Sequence, residues 1–483
     1  MNNVLGAVAM GLHYCPKDAV LGDPVPFFWK DQYHIFGPWL PKDPLERRGV
    51  PHYYWGHIVS TNLLHWHELP VALPVGSSGE PDSGACGTGS VVRGEDSVFH
   101  IFYLGRIYYG KNKRFETVCH ATSKDLIQWK KDPRNPVLPP DTRLYETEDW
   151  RDPFVFWNEQ EQHYWMLIAA RKRKGPTDRR GCLALATSAD LEKWEIHPPF
   201  WDPDLYYVLE CPDVFQWGEK WYLIFSEFCA GRLTHYCVAD SLKGPWKFAP
   251  IETFDGSHFY AAKTASNGKR RFLFGWIPTR EGETDGGEWQ WGGHLAAPRE
   301  LVRDSRGFLS VKSSPEFLDV YTEYLRTNLD FKLGDWSCET NKIKAKRVDG
   351  LAYAIIAEAP GGFLLEAKIT FTDRVCQAGF FVHADADLVK GYEIRLGVER
   401  GQVTIRKLAG KPRQIIAETP VNLSPGEPIS CQVIVSQNIL EVFIDNQVSL
   451  ACRVYDCSSR LAGLFVEKGE VYFESLNVRS PGD

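Results

Sequence analysis

One phrase, repeated through the first 250 residues, limits what this chain can fold into. It reads Ser60-Thr-Asn-Leu-Leu-His-Trp66, then Thr122-Ser-Lys-Asp-Leu-Ile-Gln-Trp129, then Thr187-Ser-Ala-Asp-Leu-Glu-Lys-Trp194, with a looser copy at Ala239-Asp-Ser-Leu-Lys-Gly-Pro-Trp246. Successive tryptophans are 63, 65 and 52 residues apart. A second pattern keeps phase with it, an aromatic-aliphatic strand beginning at Tyr33, Phe99, Tyr164, Trp221 and Arg271. Units of this length built from hairpins cannot bury both faces alone. Stacking them radially does so, which predicts five blades of a β-propeller. The competing reading is an irregular sandwich with chance similarity; two phrases holding one order and phase argue against it.

The pattern stops near residue 300. Of 17 tryptophans only Trp336 follows it. Beyond residue 330 come period-two stretches at 362–371, 378–384, 392–398, 403–408, 431–435, 440–444 and 464–478, separated by turn residues. Such alternation predicts a β-sandwich. The expected organisation is all-β: a five-bladed propeller over 1–310, a linker over 311–330 with a short helix after Ser314, and a C-terminal β-sandwich over 331–483. At 483 residues, two domains agree with the size of a single core.

Charge narrows the function. The chain carries 55 basic and 62 acidic residues, a net of −7, so it lacks the cationic surplus that nucleic acid or an anionic membrane requires. No apolar run approaches the ~20 residues that span a bilayer. Residues 1–12 are apolar but short and lack a basic lead, so no secretion signal is read and a cytoplasmic location is expected. The 12 cysteines show no zinc or Cys-x-x-Cys spacing and read as free, mostly buried thiols.

The innermost strands of a propeller line its axis, so residues at one end of them converge. Three units open on a carboxylate close to a proline: Asp23-Pro24, Asp152-Pro153 and Glu210-Cys211-Pro212. A lone Asp-Pro is a turn signal. Three acids at equivalent repeat positions predict a negative pocket in which mutual repulsion raises at least one pKa. One acid then stays protonated while another is ionised, the arrangement glycoside hydrolysis needs. Arg151 is placed to keep Asp152 ionised.

These stretches resemble family 32 of the glycoside hydrolases, the invertases, inulinases and levanases. The likeness covers nearly the whole chain. It is carried by His13-Tyr14 with Asp23-Pro24, Tyr54-Trp-Gly-His through Leu73, Arg151-Asp152-Pro153, Glu210-Cys-Pro-Asp213, Phe259-Tyr-Ala-Ala-Lys263, Gly292 to Leu301, and Leu440 to Asn446. The resemblance implies a propeller followed by a sandwich, no cofactor and no metal, and an oligosaccharide or disaccharide substrate. It implies a retaining double displacement with Asp23 as nucleophile, Asp152 as transition-state stabiliser and Glu210 as acid/base, the nucleophile and acid about 5–5.5 Å apart. It also places Trp55, Arg151, Ser90, His258, Tyr260, Lys263 and Trp291 around the substrate. Cys211 is read equally as a tuning residue or as a small buried one.

Several positions depart from the family pattern. The nucleophile motif Asn-Asp-Pro-Asn-Gly has Gly22 and Val25 in place of its asparagines. The glutamine after the first aromatic strand has no equivalent near Gly37–Trp39. The Cys-aromatic-Ser-Gly-Ser phrase is Cys86-Gly-Thr-Gly-Ser90, and Asp-Phe-Tyr-Ala is His258-Phe-Tyr-Ala. Lost hydrogen-bond partners change preference, so the expected substrate is a furanoside other than plain sucrose.

Other features read as structural. His52, His57, His65 and His67 suggest packing and surface rather than a metal, and Arg171 to Lys174 a solvated loop. Asn422-Leu-Ser424 is a sequon by spelling only. The stretch 282–293 reads as a mobile rim loop whose Trp289 and Trp291 either stack on sugar or cap the fifth blade. The sandwich is expected to support the propeller, with room for a binding surface or a homo-oligomer contact. Two alternatives to the fructosidase remain: an inverting arabinan-type furanosidase, and a non-catalytic sugar-binding protein.

Overall fold

The computed structural model describes residues 8–10, 12–43, 52–109, 113–339, 342–347, 350–359, 361–410, 413–457 and 459–482. Most of the apolar stretch 1–12 therefore lies outside the described residues. The fold is a five-bladed β-propeller followed by a β-sandwich. By packing, the chain divides into one unit of Met1–Glu252, Tyr260–Trp276 and Trp291–Pro298 and another of Thr253–Phe259, Ile277–Gln290 and Arg299–Asp483.

Blades are antiparallel meanders. The first comprises Val25–Trp29, Gln32–Pro41, Tyr54–Ser60 and His65–Glu68. The second is Ala85–Arg93, Phe99–Tyr108, Arg114–Ser123 and Lys130–Lys131. The third is Tyr145–Asn158, His163–Lys172, Gly181–Ser188 and Glu195–Trp201. The fourth is Glu210–Trp217, Lys220–Glu227, Leu233–Ala239 and Lys247–Thr253. The fifth opens with Tyr260–Ser266 paired to Arg271–Arg280. The ring closes where Ala19–Leu21 pairs with the first blade and, through Leu21 and Gly293, with Trp289–Leu295. The expected rim loop thus ends in a paired strand.

Apolar cores sit between blades. Trp55, Phe36, Tyr103 and Leu126 share one such core, and Trp150, Phe102, Met166 and Leu191 another. The recurring phrase is a capped turn. Ser123 Oγ donates to Asp125 Oδ1, which accepts the N–H groups of Ile127 and Gln128, and Asp190 does the same for Glu192 and Lys193. Leu63, Leu126 and Leu191 follow at φ of 66°, 65° and 62°, and each is buried. Apolar burial between blades holds leucine in a region that disfavours it. His57 is buried against His34, Nε2 to Nδ1 at 3.0 Å, beneath the Phe36 ring. All 12 cysteines are free and nine are buried.

In the sandwich, the strand Leu461–Ser480 serves two sheets. Its first half pairs with Ala352–Glu358 and Gln377–Ala384, its second with Lys342–Arg347 and Phe363–Phe371. The change of sheet falls at Gly469, where φ is 90° and a Cβ would lie 2.2 Å from Cys376 Sγ. Only glycine fits both demands. The connecting helix is one turn, Pro315–Leu318.

Candidate active site

The first strand of each of blades two to five carries the same irregularity. Pairing steps from Cys86 to Gly89, Arg151 to Phe154, Glu210 to Asp213 and Tyr260 to Lys263, three residues along while the partner strand advances two. The extra residue is a β-bulge, which re-aims the strand end. Its middle position has positive φ at Asp152 (56°), Cys211 (52°) and Ala261 (52°), and Asp23 (31°) stands likewise before the first blade. This register corrects the sequence reading. Asp23 and Asp152 are equivalent, but the equivalent of Asp152 in the fourth blade is Cys211. Glu210 stands one residue earlier, at the position held by Arg151 in the third blade and Tyr260 in the fifth. Equivalence by proline missed this because the count from acid to proline differs by one.

The shift explains the contacts of Glu210. Its carboxylate accepts Arg151 Nη2 at 3.1 Å and Nε at 3.3 Å, and the Tyr260 hydroxyl at 2.5 Å, so its two same-register neighbours flank it. Asp23 accepts Thr88 Oγ1 at 2.7 Å and Trp276 Nε1 at 3.0 Å, one bond to each oxygen. Asp152 accepts the backbone N–H of Cys211 at 3.0 Å. Cys211 orients this acid through its backbone, its thiol lies 3.7 Å from Asp152 Oδ2, and burial, then the Asp152 charge, push that thiol far up.

Asp23, Asp152 and Glu210 line one cavity of about 220 Å³, together with Pro38, Tyr53, Gly87, Thr88, Leu104, Arg106, Arg114, Arg151, Phe228 and Trp291. Burial, then repulsion by Asp152, pushes the Asp23 carboxyl up to about 6, against its bonds to Thr88 and Trp276 and the charge of Lys263. Burial pushes Glu210 up to about 7, with Arg151 opposing and Asp152 and Asp23 adding to the rise. Arg151 was expected to hold its neighbour Asp152, but its guanidinium turns to other acids. Its guanidinium pairs with Asp149, Glu116 and Glu210, and Glu116 is also held by Arg106 at 2.7 Å and Arg114 at 3.0 Å. This lattice of paired charges stiffens one wall of the cavity.

Of the other sequence-derived positions, Arg151 and Trp291 line the cavity and Tyr260 reaches it through Glu210. Trp55 does not: it is fully buried in the core between blades and donates to the Gly87 carbonyl at 2.7 Å. Ser90 is also buried, its hydroxyl accepting the Val155 N–H at 2.9 Å and tying the second blade to the third. Lys263 is buried and donates to the Gly89 carbonyl at 2.7 Å. These three support the walls, each fixed by one bond to backbone between strands. His258 belongs to the other unit, where it bonds Arg280 at 2.9 Å. Sequence reasoning missed Thr88, Trp276, Glu116 and Asp149. Thr88 was within reach, lying inside the bulge of the Cys86–Ser90 phrase, as were Asp149, two residues before Arg151, and Trp276, on the aromatic strand that begins at Arg271; Glu116 comes from a strand with no marker. Among the described residues no group of three or more His, Cys, Asp or Glu is placed to hold a metal.

Comparison with known proteins agrees with this geometry. The family model described as glycosyl hydrolases family 32 N-terminal domain matches residues 13–312. The sucrose-6-phosphate hydrolase of Escherichia coli is 30% identical over 310 residues, 60% of this chain and 61% of that protein. The sucrose-6-phosphate hydrolase of Zymomonas mobilis is 25% identical over 506 residues, covering 96% of this chain and 91% of its own. Among solved structures, sucrose-6-phosphate hydrolase from Lactobacillus gasseri has a TM-score of 0.75 at 18% identity, covering 98% of this chain and 93% of that one. Exo-inulinase from Aspergillus awamori gives 0.73 at 17%, covering 98% of both. At those identities the structures speak to the fold alone. The family match, spanning more than half the sequence and containing all three acids, leads to one conclusion: this chain belongs to the glycosyl hydrolases of family 32.

Proposed function

We propose that the protein is a retaining β-furanosidase of the fructosidase type, and that Asp23, Asp152 and Glu210 carry its chemistry. Asp23 attacks the anomeric carbon as a carboxylate. Glu210 donates its proton to the leaving oxygen, and a furanosyl ester forms on Asp23. Glu210, now ionised, takes a proton from water or an acceptor sugar, which attacks the same carbon and releases Asp23. Asp152, fixed by the Cys211 N–H, accepts hydroxyls of the ring and offsets oxocarbenium charge.

One observation supports this division above the others. Asp23 and Glu210 line one cavity, where the Thr88 hydroxyl and the Trp276 N–H bond the Asp23 carboxylate and favour its anion, while burial and the charges of Asp152 and Asp23 raise Glu210 and favour its proton, so a proton donor and an anionic nucleophile coexist there. Departures at Gly22, Pro38 and Gly87 support a preference other than plain sucrose. The test is a panel of furanosides with the first-formed anomer read by NMR. Retention is expected, with turnover lost in Asp23→Asn and Glu210→Gln. An inverted first product, or sucrose and inulin handled at ordinary invertase efficiency, contradicts the corresponding part of the proposal.

A further inference from the structure

The wall next to Asp23 has changed chemistry. Resting on the fructosidase reading above, the geometry at Gly22 says what the change selects. Gly22 stands where the family motif has asparagine, and its backbone is not in the left-handed region, so conformation does not require glycine. Space does. A Cβ at Gly22 would lie 2.4, 2.8 and 2.9 Å from three atoms of the Trp291 indole. That indole is held on two sides, by Tyr53 with ring centres 4.3 Å apart and by Trp276 at 5.8 Å. Trp276 is in turn fixed by its bond to Asp23. The ring therefore sits in the cavity wall on a rigid mount, directly over the position that in the family pattern carries an amide.

Two further changes point the same way. Pro38 lines the cavity in the stretch where the glutamine is missing, and it offers no donor. Gly87 stands for the aromatic of the family phrase, and the space beside it is taken by Leu104, whose Cδ2 would be 2.5 Å from a Cβ there. Phe228, 40% exposed, continues the apolar surface. Away from the carboxylates, Thr88 and the arginine lattice, the lining is Trp291, Tyr53, Pro38, Gly87, Leu104 and Phe228. A substrate hydroxyl turned toward this surface loses a partner, whereas a flat apolar ring gains stacking area.

We propose that Trp291 is the specificity-determining residue of this cavity: seated on Gly22, it replaces hydrogen-bond recognition by stacking, so the enzyme takes β-fructofuranosides with an aromatic aglycone in preference to sucrose. The test measures kcat/KM for p-nitrophenyl β-D-fructofuranoside and for sucrose with the unmodified protein, Trp291→Ala, Gly22→Asn and the double variant. The unmodified enzyme is expected to favour the aryl substrate by about tenfold or more, and Trp291→Ala to erase most of that preference through KM. Gly22→Asn alone is expected to lower both rates. Adding Trp291→Ala to it should restore sucrose turnover, because the amide then has room. Thermal unfolding is followed for each variant. If Trp291→Ala does not fold, Trp291→Phe replaces it and should narrow the substrate ratio. An unchanged ratio in the folded Trp291 variant, or Gly22→Asn tolerated without loss, overturns the proposal. Glu210→Gln is run alongside: turnover persisting in it sinks the fructosidase reading, whereas its loss with an unresponsive ratio sinks only the role of Trp291.

Discussion

Glu210 and Asp23 carry the residue-scale argument. On the proposed roles, turnover needs Asp23 ionised and Glu210 protonated, so activity is expected to rise as pH passes about 6 and to fall as it passes about 7. A narrow bell in kcat/KM between those limbs is the expected profile. The Tyr260 hydroxyl lowers Glu210 by bonding its carboxylate, so Tyr260→Phe should move the basic limb upward and leave the acidic limb in place. The same shift has a stability consequence. Folding raises Glu210 from 4.5 to about 7, so the stabilisation its proton provides is complete below about 4.5 and lost as pH climbs through about 7. Glu210→Gln, which never ionises, should melt with the unmodified protein near pH 4 and several degrees above it at pH 8, a gain of up to about 3 kcal/mol. Equal melting temperatures at both pH values would refute the burial argument.

At the scale of elements, two small devices are copied around the ring. The capped Ser-x-Asp-Leu turn ends a strand on the rim, and the bulge re-aims the first strand at the axis. In the turn, the N–H of Lys193, followed by that of Glu192 and the Ser188 hydroxyl, holds the Asp190 carboxyl below its usual range. Asp190→Ala leaves those N–H groups to water while Leu191 stays at φ 62°. A loss of about 1 kcal/mol is expected, read as a small drop in denaturation midpoint with kcat unchanged. A kcat effect would mean that the turns are coupled to the cavity. The bulge explains why Glu210, and not Cys211, faces Arg151 and Tyr260: two adjacent positions turn to the cavity, and the proposed catalytic set draws on both.

For the molecule as a whole, each unit is anchored in its own way. In the second, Arg299 pairs with Asp255 at 3.0 Å and Glu441 at 2.6 Å, and Asp255 also takes the Ser449 hydroxyl at 2.5 Å and the Ala451 N–H at 2.8 Å. Arg299→Met would leave two carboxylates in the interior, at a cost of about 3–5 kcal/mol near neutral pH. Acidification should recover part of the loss, because both acids can then be neutral. A midpoint that is insensitive to the substitution would show that the pair carries no net weight. In the first unit the anchor is closure itself, where Leu21 and Gly293 bring the beginning of the propeller to its end and Asp23 follows two residues later.

Much of this was written locally. Repeat length and phase fixed five blades, alternation fixed the sandwich, and Asp23, Asp152 and Glu210 were visible as acids beside prolines, because each signal lies within a few consecutive residues. What the chain could not show locally was depth and register. Trp55, Ser90 and Lys263 sit in phrases that resemble a binding surface, yet inter-blade packing and one backbone bond each turn them into the walls. Thr88 and Trp276 hold Asp23 from strands 65 and 253 residues away. Gly22 looks like a simple loss until the Trp291 ring is seen to occupy its space. The strand types followed from short-range sterics and hydrophobic period; which side chain meets which depended on a bulge of one residue and on ring closure, and only the folded molecule decides those.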